Sequence, residues 1–234
     1  TKAGSVVKSL TDFTISVFYR VSNEASLSGA GYFLWCFSQS AANTQTNGPY
    51  TGYRLNAQRM AISTGGWGSE KGMEVGTASL KGRWVHMLYR QTGLHGELFV
   101  DGKKEAEAVD MPVLKSSFTM TPSCNWIGRA PFSADSYLKQ ALVSDFQVYD
   151  AALSDDEVAK LAAEAAVLEN EYRYGKPGDF TELRLAVADC KTFIAGVSSD
   201  YAPNAISELQ DAIKLAELVI AGAVSYTHLT LPTI

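Results

Sequence analysis

No run of about eighteen apolar residues occurs anywhere in the chain, so no segment reads as a membrane-spanning helix and insertion into a bilayer is not expected. No Lys/Arg run occurs either. With 20 basic against 25 acidic residues the formal net charge is −5 and the pI is near 5.3, the wrong sign for a protein that holds nucleic acid by neutralising phosphates. Cysteine is scarce: Cys36, Cys124 and Cys190 are an odd number at wide spacing, which fits neither a disulfide framework nor a zinc site. Three buried thiols are expected, with a Cys36–Cys124 bridge across the fold as the alternative. The start lacks an initiator Met and a signal-peptide pattern, which predicts processing or truncation, and the residues after Gly4 are expected to enter a strand. Disorder is not expected, because 46% hydrophobic and 19% charged residues are the balance of a chain that buries a core.

What the chain does have is short alternating runs separated by Gly, Asn and Ser clusters, from Asp12 to Tyr149, the pattern of an all-β domain. Phe13, Ile15, Val17, Tyr19 and Val21 fall on one side of a strand over residues 12–21, with Thr14, Ser16 and Arg20 on the other. Residues 32–37 are apolar on both faces, as a central strand would be. Further strands are expected at 52–57, 59–63, 83–91, 97–100, from Lys103 onward, at 126–128 and at 141–149. Asp101-Gly102 supplies the positive φ angles of a tight hairpin between two of them.

The pattern changes at Ser154. Ser154-Asp155-Asp156-Glu157 is a capping box, with Leu153 and Val158 as a hydrophobic staple and Val158, Leu161, Ala165 and Leu168 at helical spacing. After the breaker Gly175-Lys176-Pro177-Gly178, helices are expected over 181–195, with Leu183, Val187, Cys190 and Ile194 on one stripe, and over 203–221, with Ile206, Leu209, Ile213, Ala216 and Ile220. The reading is therefore an all-β unit over 1–153 and a helical module over 154–223. Residues 224–234, His228 among them, have no such period and resemble the translation of a sequencing-library adaptor, which predicts a non-native tail.

Four segments in order resemble the laminin-G-like branch of the concanavalin-A-like lectin/glucanase superfamily. They are Asp12-Phe13-Thr14-Ile15-Ser16, Gly82-Arg83-Trp84-Val85-His86, Leu98-Phe99-Val100-Asp101-Gly102, and the stretch from Asn125-Trp126-Ile127-Gly128-Arg129 through Asp145-Phe146-Gln147-Val148-Tyr149-Asp150 to Ala152-Leu153-Ser154. The resemblance implies an antiparallel jelly-roll sandwich, and its family members carry a further strand or two before Gly4. Residues from about 180 to 221, with Tyr201-Ala202-Pro203, are similar to the FIVAR repeat. The pairing resembles modules of secreted bacterial glycoside hydrolases. It implies a non-catalytic accessory module, secreted or at the cell surface, whose partners are a plant or host glycan and neighbouring modules of the same polypeptide. Two other readings stay open: a contributor to a neighbouring catalytic cleft, and a spacer without ligand.

Catalytic members of that superfamily use a Glu-x-Asp-x-x-Glu strand, which is absent here; Glu105 and Glu107 alternate just after the hairpin and read as a solvated edge. His86 reads as a hydrogen-bonded strand histidine and His95 as a turn residue, and Gly65-Gly66-Trp67-Gly68 lacks the spacing and following helix of a phosphate loop. Many laminin-G-like domains bind one Ca²⁺. Asp135 is the candidate ligand that this resemblance implies, against the alternative of an Asp capping a turn. For sugar stacking the candidate is Trp67, in the Gly-rich loop 63–72, followed by Tyr50 and Tyr53 beside Thr51-Gly52. Trp84 and Trp126 are expected in the core.

Overall fold

The computed structural model describes residues 2–75, 80–174, 180–196 and 203–220. It divides into two compact units, Thr1–Val167 and Leu168–Ile234. The first unit contains α1 (Lys2–Ser9), β1 (Phe13–Val21), β2 (Phe33–Ser38), β3 (Tyr50–Arg54), β4 (Arg59–Ser63), a single 3-10 turn (Trp67–Ser69) and β5 (Glu70–Glu74). It continues with β6 (Trp84–Thr92), β7 (His95–Val100), β8 (Lys103–Ala108), α2 (Leu114–Ser117), β9 (Cys124–Ile127), β10 (Ala141–Tyr149) and α3 (Asp155–Ala162). Next come α4 (Glu164–Tyr174), which crosses the division, and α5 (Thr181–Gly196) and α6 (Pro203–Ile220) in the second unit.

Two antiparallel five-stranded sheets make a β-sandwich of jelly-roll type. One runs β10-β1-β6-β7-β8 and the other β5-β4-β3-β2-β9. The alternation in β1 sends Phe13, Ile15, Val17, Tyr19 and Val21 between the sheets, where they meet Leu34, Trp35, Tyr53, Met60 and Ile62 from the second. In β2 the register shifts between Phe33 and Trp35. Trp35 and Phe37 therefore enter the central core while Phe33 and Cys36 join a smaller cluster on the other side. A bulge of this kind flips the faces of a strand, because side chains alternate with a period of two.

The polar face of β1 is buried as well. Thr14 and Ser16 are covered because the segment entering α3 folds onto this sheet: the Thr14 hydroxyl donates to Ala151 O (2.9 Å) and accepts from the Leu153 N–H (3.0 Å). The capping box is present as expected, Ser154 Oγ accepting from the Glu157 N–H and the Glu157 carboxylate from the Ser154 N–H. It starts a helix whose Val158 packs with Leu88 and Phe99. The helix thus belongs to the sandwich, and the division of the chain falls after Val167 rather than before Ser154.

Four further points differ from the sequence reading. Residues after Gly4 are helical, because Gly4 and Val7 on the buried side of α1 and Leu10 just past its end recur at helical spacing; a Cβ on Gly4 would meet Pro122 O at 2.1 Å. The strand expected at 52–57 is shifted to Tyr50–Arg54, with a turn following. Glu70–Glu74 is a strand of polar sequence whose only well-buried side chain is Met73. Cys36 and Cys124 are free thiols on adjacent strands of the same sheet, not across the sandwich, and Cys190 is only half-buried.

In the second unit α5 and α6 pack on each other, joined by Lys191 Nζ to Glu217 Oε1 at 2.5 Å. The stripes read from the sequence are their less exposed faces: Leu183, Val187, Cys190 and Ile194 on α5, and Ile206, Leu209, Ile213, Ala216 and Ile220 on α6. No described helix is long and apolar enough to cross a membrane. The tail 224–234 lies outside the described residues.

Candidate functional site

The outer face of the second sheet carries a cleft of about 530 Å³ whose lining includes Asn43, Arg54, Trp67, Glu70, Phe132 and Asp135. Five separate segments build it, around Ala30, Asn43, Arg54, Trp67–Glu70 and Phe132–Asp135. Tyr50, Gly52 and Arg54 alternate onto one face of β3, and Arg54 stands at the cleft end of that row. Trp67 is held by two loops laced through their backbones: Gly66 N–H to Gly48 O (3.1 Å), Trp67 N–H to Thr44 O (3.3 Å) and Gly68 N–H to Gln45 O (2.8 Å). Gly66 is required at this crossing. Its φ is +87° and a Cβ there would lie 2.2 Å from Thr44 O.

Trp67 leaves 48% of its surface in solvent, a large exposure for an indole whose backbone is so firmly tied. Its ring stands edge-on to Phe132, centroids 5.3 Å apart at 82°, and Phe132 in turn stands edge-on to Tyr50 at 5.3 Å and 89°. The segment bearing Asp135 is stitched to residues 30–32 by Tyr32 N–H to Ser136 O (2.9 Å) and Ser136 N–H to Ala30 O (3.2 Å). Leu55 N–H to Tyr32 O (3.0 Å) ties the same segment to the end of β3 next to Arg54.

The charges in the cleft are incompletely paired. Arg54 and Arg59 are cross-strand partners, and Arg59 takes the carboxylates: Nε lies 3.4 Å from Glu70 Oε2 and Nη1 3.3 Å from Glu74 Oε1. Among the described residues Arg54 makes no ion pair, its Nε is buried without a hydrogen-bond partner, and burial together with Arg59 pushes its pKa down. Burial raises the Asp135 carboxyl, with Arg54 opposing. Burial, helped by Glu74, pushes Glu70 up to about 7. Asn43 is buried; its amide N–H groups donate to Ser38 Oγ (3.0 Å) and Gly48 O (2.7 Å), while its Oδ1 accepts from none of the described residues.

The structure brings Trp67 and Asp135 together at this cleft and corrects the other two candidates. Tyr50 lies wholly buried under Phe132, and Tyr53 points from the opposite face of β3 into the central core, so neither presents a surface to a ligand. Trp126 also departs from expectation: on edge strand β9 it is only half-buried, with the Arg129 guanidinium 4.0 Å over its ring. Sequence reasoning missed Arg54, Phe132, Glu70 and Asn43. Phe132 carried the signal that found Trp67, a large apolar ring in a polar loop, whereas Arg54 needed the position of β3.

Among the described residues His95, Glu97 and Glu107 have ligand atoms within 4.8 Å of one another. Cations already occupy that cluster, Arg90 lying 2.7 Å from Glu97 and Lys104 2.7 Å from Glu107. Glu105 and Glu107 sit on edge strand β8, paired with Lys103 and Lys104. His86 is fully buried, its Nε2 bonded to Ser16 Oγ at 2.8 Å and its ring stacked on Phe18.

A lectin-like sandwich with an aromatic, polar-rimmed cleft on one sheet is what the fold and the site define. The chain belongs to the concanavalin A-like lectin/glucanases superfamily, whose family model matches residues 2–159. No curated protein matches the sequence. Among solved structures the chain is similar to domain 4 of AbnA, an extracellular arabinanase from Geobacillus stearothermophilus in complex with arabinotriose, at 11% identity and TM-score 0.51, covering 66% of this chain and 69% of that one. It is also similar to the carbohydrate-binding module of a Ruminococcus gnavus sialidase bound to sialyllactose, at 16% identity and TM-score 0.50, covering 68% and 86%. A leech intramolecular trans-sialidase matches at 19% identity and TM-score 0.50, covering 67% of this chain but 24% of the enzyme. At these identities the likeness is one of fold.

Proposed function

We propose that the chain is a non-catalytic glycan-binding module of a secreted bacterial polysaccharide-processing protein, with the helical unit as a FIVAR-like positioning element. One observation carries this reading. Trp67 stands half-exposed on a braced backbone beside Phe132, at the mouth of a cleft where Asn43 Oδ1 and Arg54 Nε lack hydrogen-bond partners among the described residues. An indole face takes the apolar face of a sugar ring, and the rim serves its hydroxyls. The lectin/glucanase family and the glycan complexes of two similar domains support it.

Stacking that removes roughly 50–100 Å² of apolar surface stabilises by about 1–2.5 kcal/mol. With a few hydrogen bonds of about 1 kcal/mol each the site reaches roughly millimolar affinity. Such weakness suits a tethered module, since linkage raises effective concentration. In this reading Asp135 accepts from hydroxyls. Its other role, as a Ca²⁺ ligand, is tested by repeating each titration with Ca²⁺ and with EDTA. The experiment is titration of plant and host oligosaccharides into wild type and Trp67→Ala. Absence of binding at millimolar concentration favours the spacer.

A second reading rests on Glu70, whose pKa near 7 inside a cleft is that of a general acid. Glycan hydrolysis by the chain that disappears in Glu70→Gln would establish it.

A further inference from the structure

Taking the glycan reading of the cleft as its starting point, we infer that the site selects neutral, hydroxyl-rich sugars and rejects acidic ones. The argument is the inventory of unpaired groups. The Asn43 Oδ1, in a residue 7% exposed, is a buried acceptor without a donor among the described residues. The Asp135 carboxylate accepts no hydrogen bond among the described residues; only its backbone is engaged, donating to Phe132 O at 3.2 Å. Glu70 has Arg59 at ion-pair distance, but Arg59 Nε makes no hydrogen bond among the described residues. Beside these acceptors stand two donor groups without a hydrogen bond among the described residues, Arg54 Nε and Arg59 Nε.

A buried polar group left unpaired is costly, so the ligand that fits pairs Asn43 Oδ1 and Arg54 Nε, with the Asp135 and Glu70 carboxylates beside them as further acceptors. A hydroxyl both donates and accepts. Several on one sugar ring supply donors to Asn43, Asp135 and Glu70 and a lone pair to Arg54. A carboxylate or sulfate only accepts. It would satisfy Arg54 but bring an anion against the Asp135 and Glu70 carboxyl groups that line the same cleft. The charged groups on or behind this face are Arg54 on β3, Arg59 on β4, Glu70 and Glu74 on β5 and Asp135 on the loop before β10, and Arg59 is committed to the two glutamates.

The test titrates the full chain with neutral probes (arabinotriose, xylotriose, galactotriose) and acidic probes (trigalacturonate, 3′-sialyllactose, a sulfated galactose disaccharide). Wild type is expected to bind a neutral probe and to bind every acidic probe at least about tenfold more weakly, the effect of like charges brought together. Asp135→Asn is expected to weaken the neutral probe severalfold and to shrink the gap to the acidic probes. Arg54→Gln is expected to weaken the neutral probe as well, with circular dichroism showing both variants folded. An acidic probe that binds as tightly as the neutral ones, and is lost in Trp67→Ala, would overturn the selectivity while leaving the glycan site standing. Neutral binding that ignores both Trp67→Ala and Asp135→Asn would overturn the site assignment, and binding of neither class would overturn both.

Discussion

Trp67 and Phe132, 65 residues apart in sequence, cross edge to face at 82° with ring centroids 5.3 Å apart. The relationship divides labour. Phe132 also packs on Phe33 and Tyr50, so it is a support, whereas the outer part of Trp67 faces solvent. Trp67→Ala is expected to abolish measurable glycan binding while shifting unfolding by less than about 1 kcal/mol, the effect of losing one edge contact. Phe132→Ala should lose binding too and cost about 1–3 kcal/mol, because it opens a gap between Tyr50 and Phe33. Paired titration and urea denaturation of the two variants check this; equal stability losses would refute the division.

His86 makes the sandwich acid-sensitive. Burial is the main cause that pushes its pKa down to about 4, with Asp101 and Asp145 opposing. The unfolded chain, with a histidine near 6.5, then binds more protons than the folded one between about pH 4 and pH 6.5. The contribution is complete above the unfolded value and declines as pH falls toward the folded one, to a total of about 3 kcal/mol. Urea midpoints at pH 7.5 and 4.5 should show wild type losing about 2 kcal/mol more than His86→Gln on acidification. A parallel decline in the two proteins would remove His86 from the cause.

Ser154→Ala removes the hydroxyl half of the capping box, leaving the residue 154 N–H to donate to the Glu157 carboxylate, and is expected to cost about 1 kcal/mol. Since α3 packs Val158 against Leu88 and Phe99, the loss should appear in the unfolding of the sandwich and not in a local helix signal alone. Fluorescence and far-ultraviolet dichroism followed through one denaturation check that the two transitions coincide.

Gly102 turns the β7–β8 hairpin at φ +79°, after Asp101 at +50°. An alanine there would sit in the left-handed region and bring its Cβ to 3.0 Å from the Ala162 Cβ at the end of α3. Gly102→Ala is expected to destabilise by about 1–2 kcal/mol, read as a lower melting temperature. Asp101 itself stays in place through Arg83 Nη2 (2.7 Å) and the His86 N–H (2.9 Å).

By itself the sequence determined whatever depends on neighbours along the chain. The period-two alternation of β1, the capping box at Ser154, the Asp101-Gly102 turn and the stripes of α5 and α6 all use residues within a few positions of each other, and all are present in the structure. Trp67 was legible for a similar reason, being an apolar ring among glycines. Contacts between distant segments lay beyond that reach. Whether Tyr50 and Tyr53 faced solvent was decided by Phe132 closing over one and by the opposite sheet receiving the other. Thr14 and Ser16 read as the side of β1 away from the core and are buried because helix α3 and its approach cover that sheet. The cleft joins Asn43, Arg54, Trp67, Glu70 and Asp135 from separate loops and strands. Its unpaired donors and acceptors exist only once packing has withdrawn them from water, so tertiary structure alone decided the chemistry of the site.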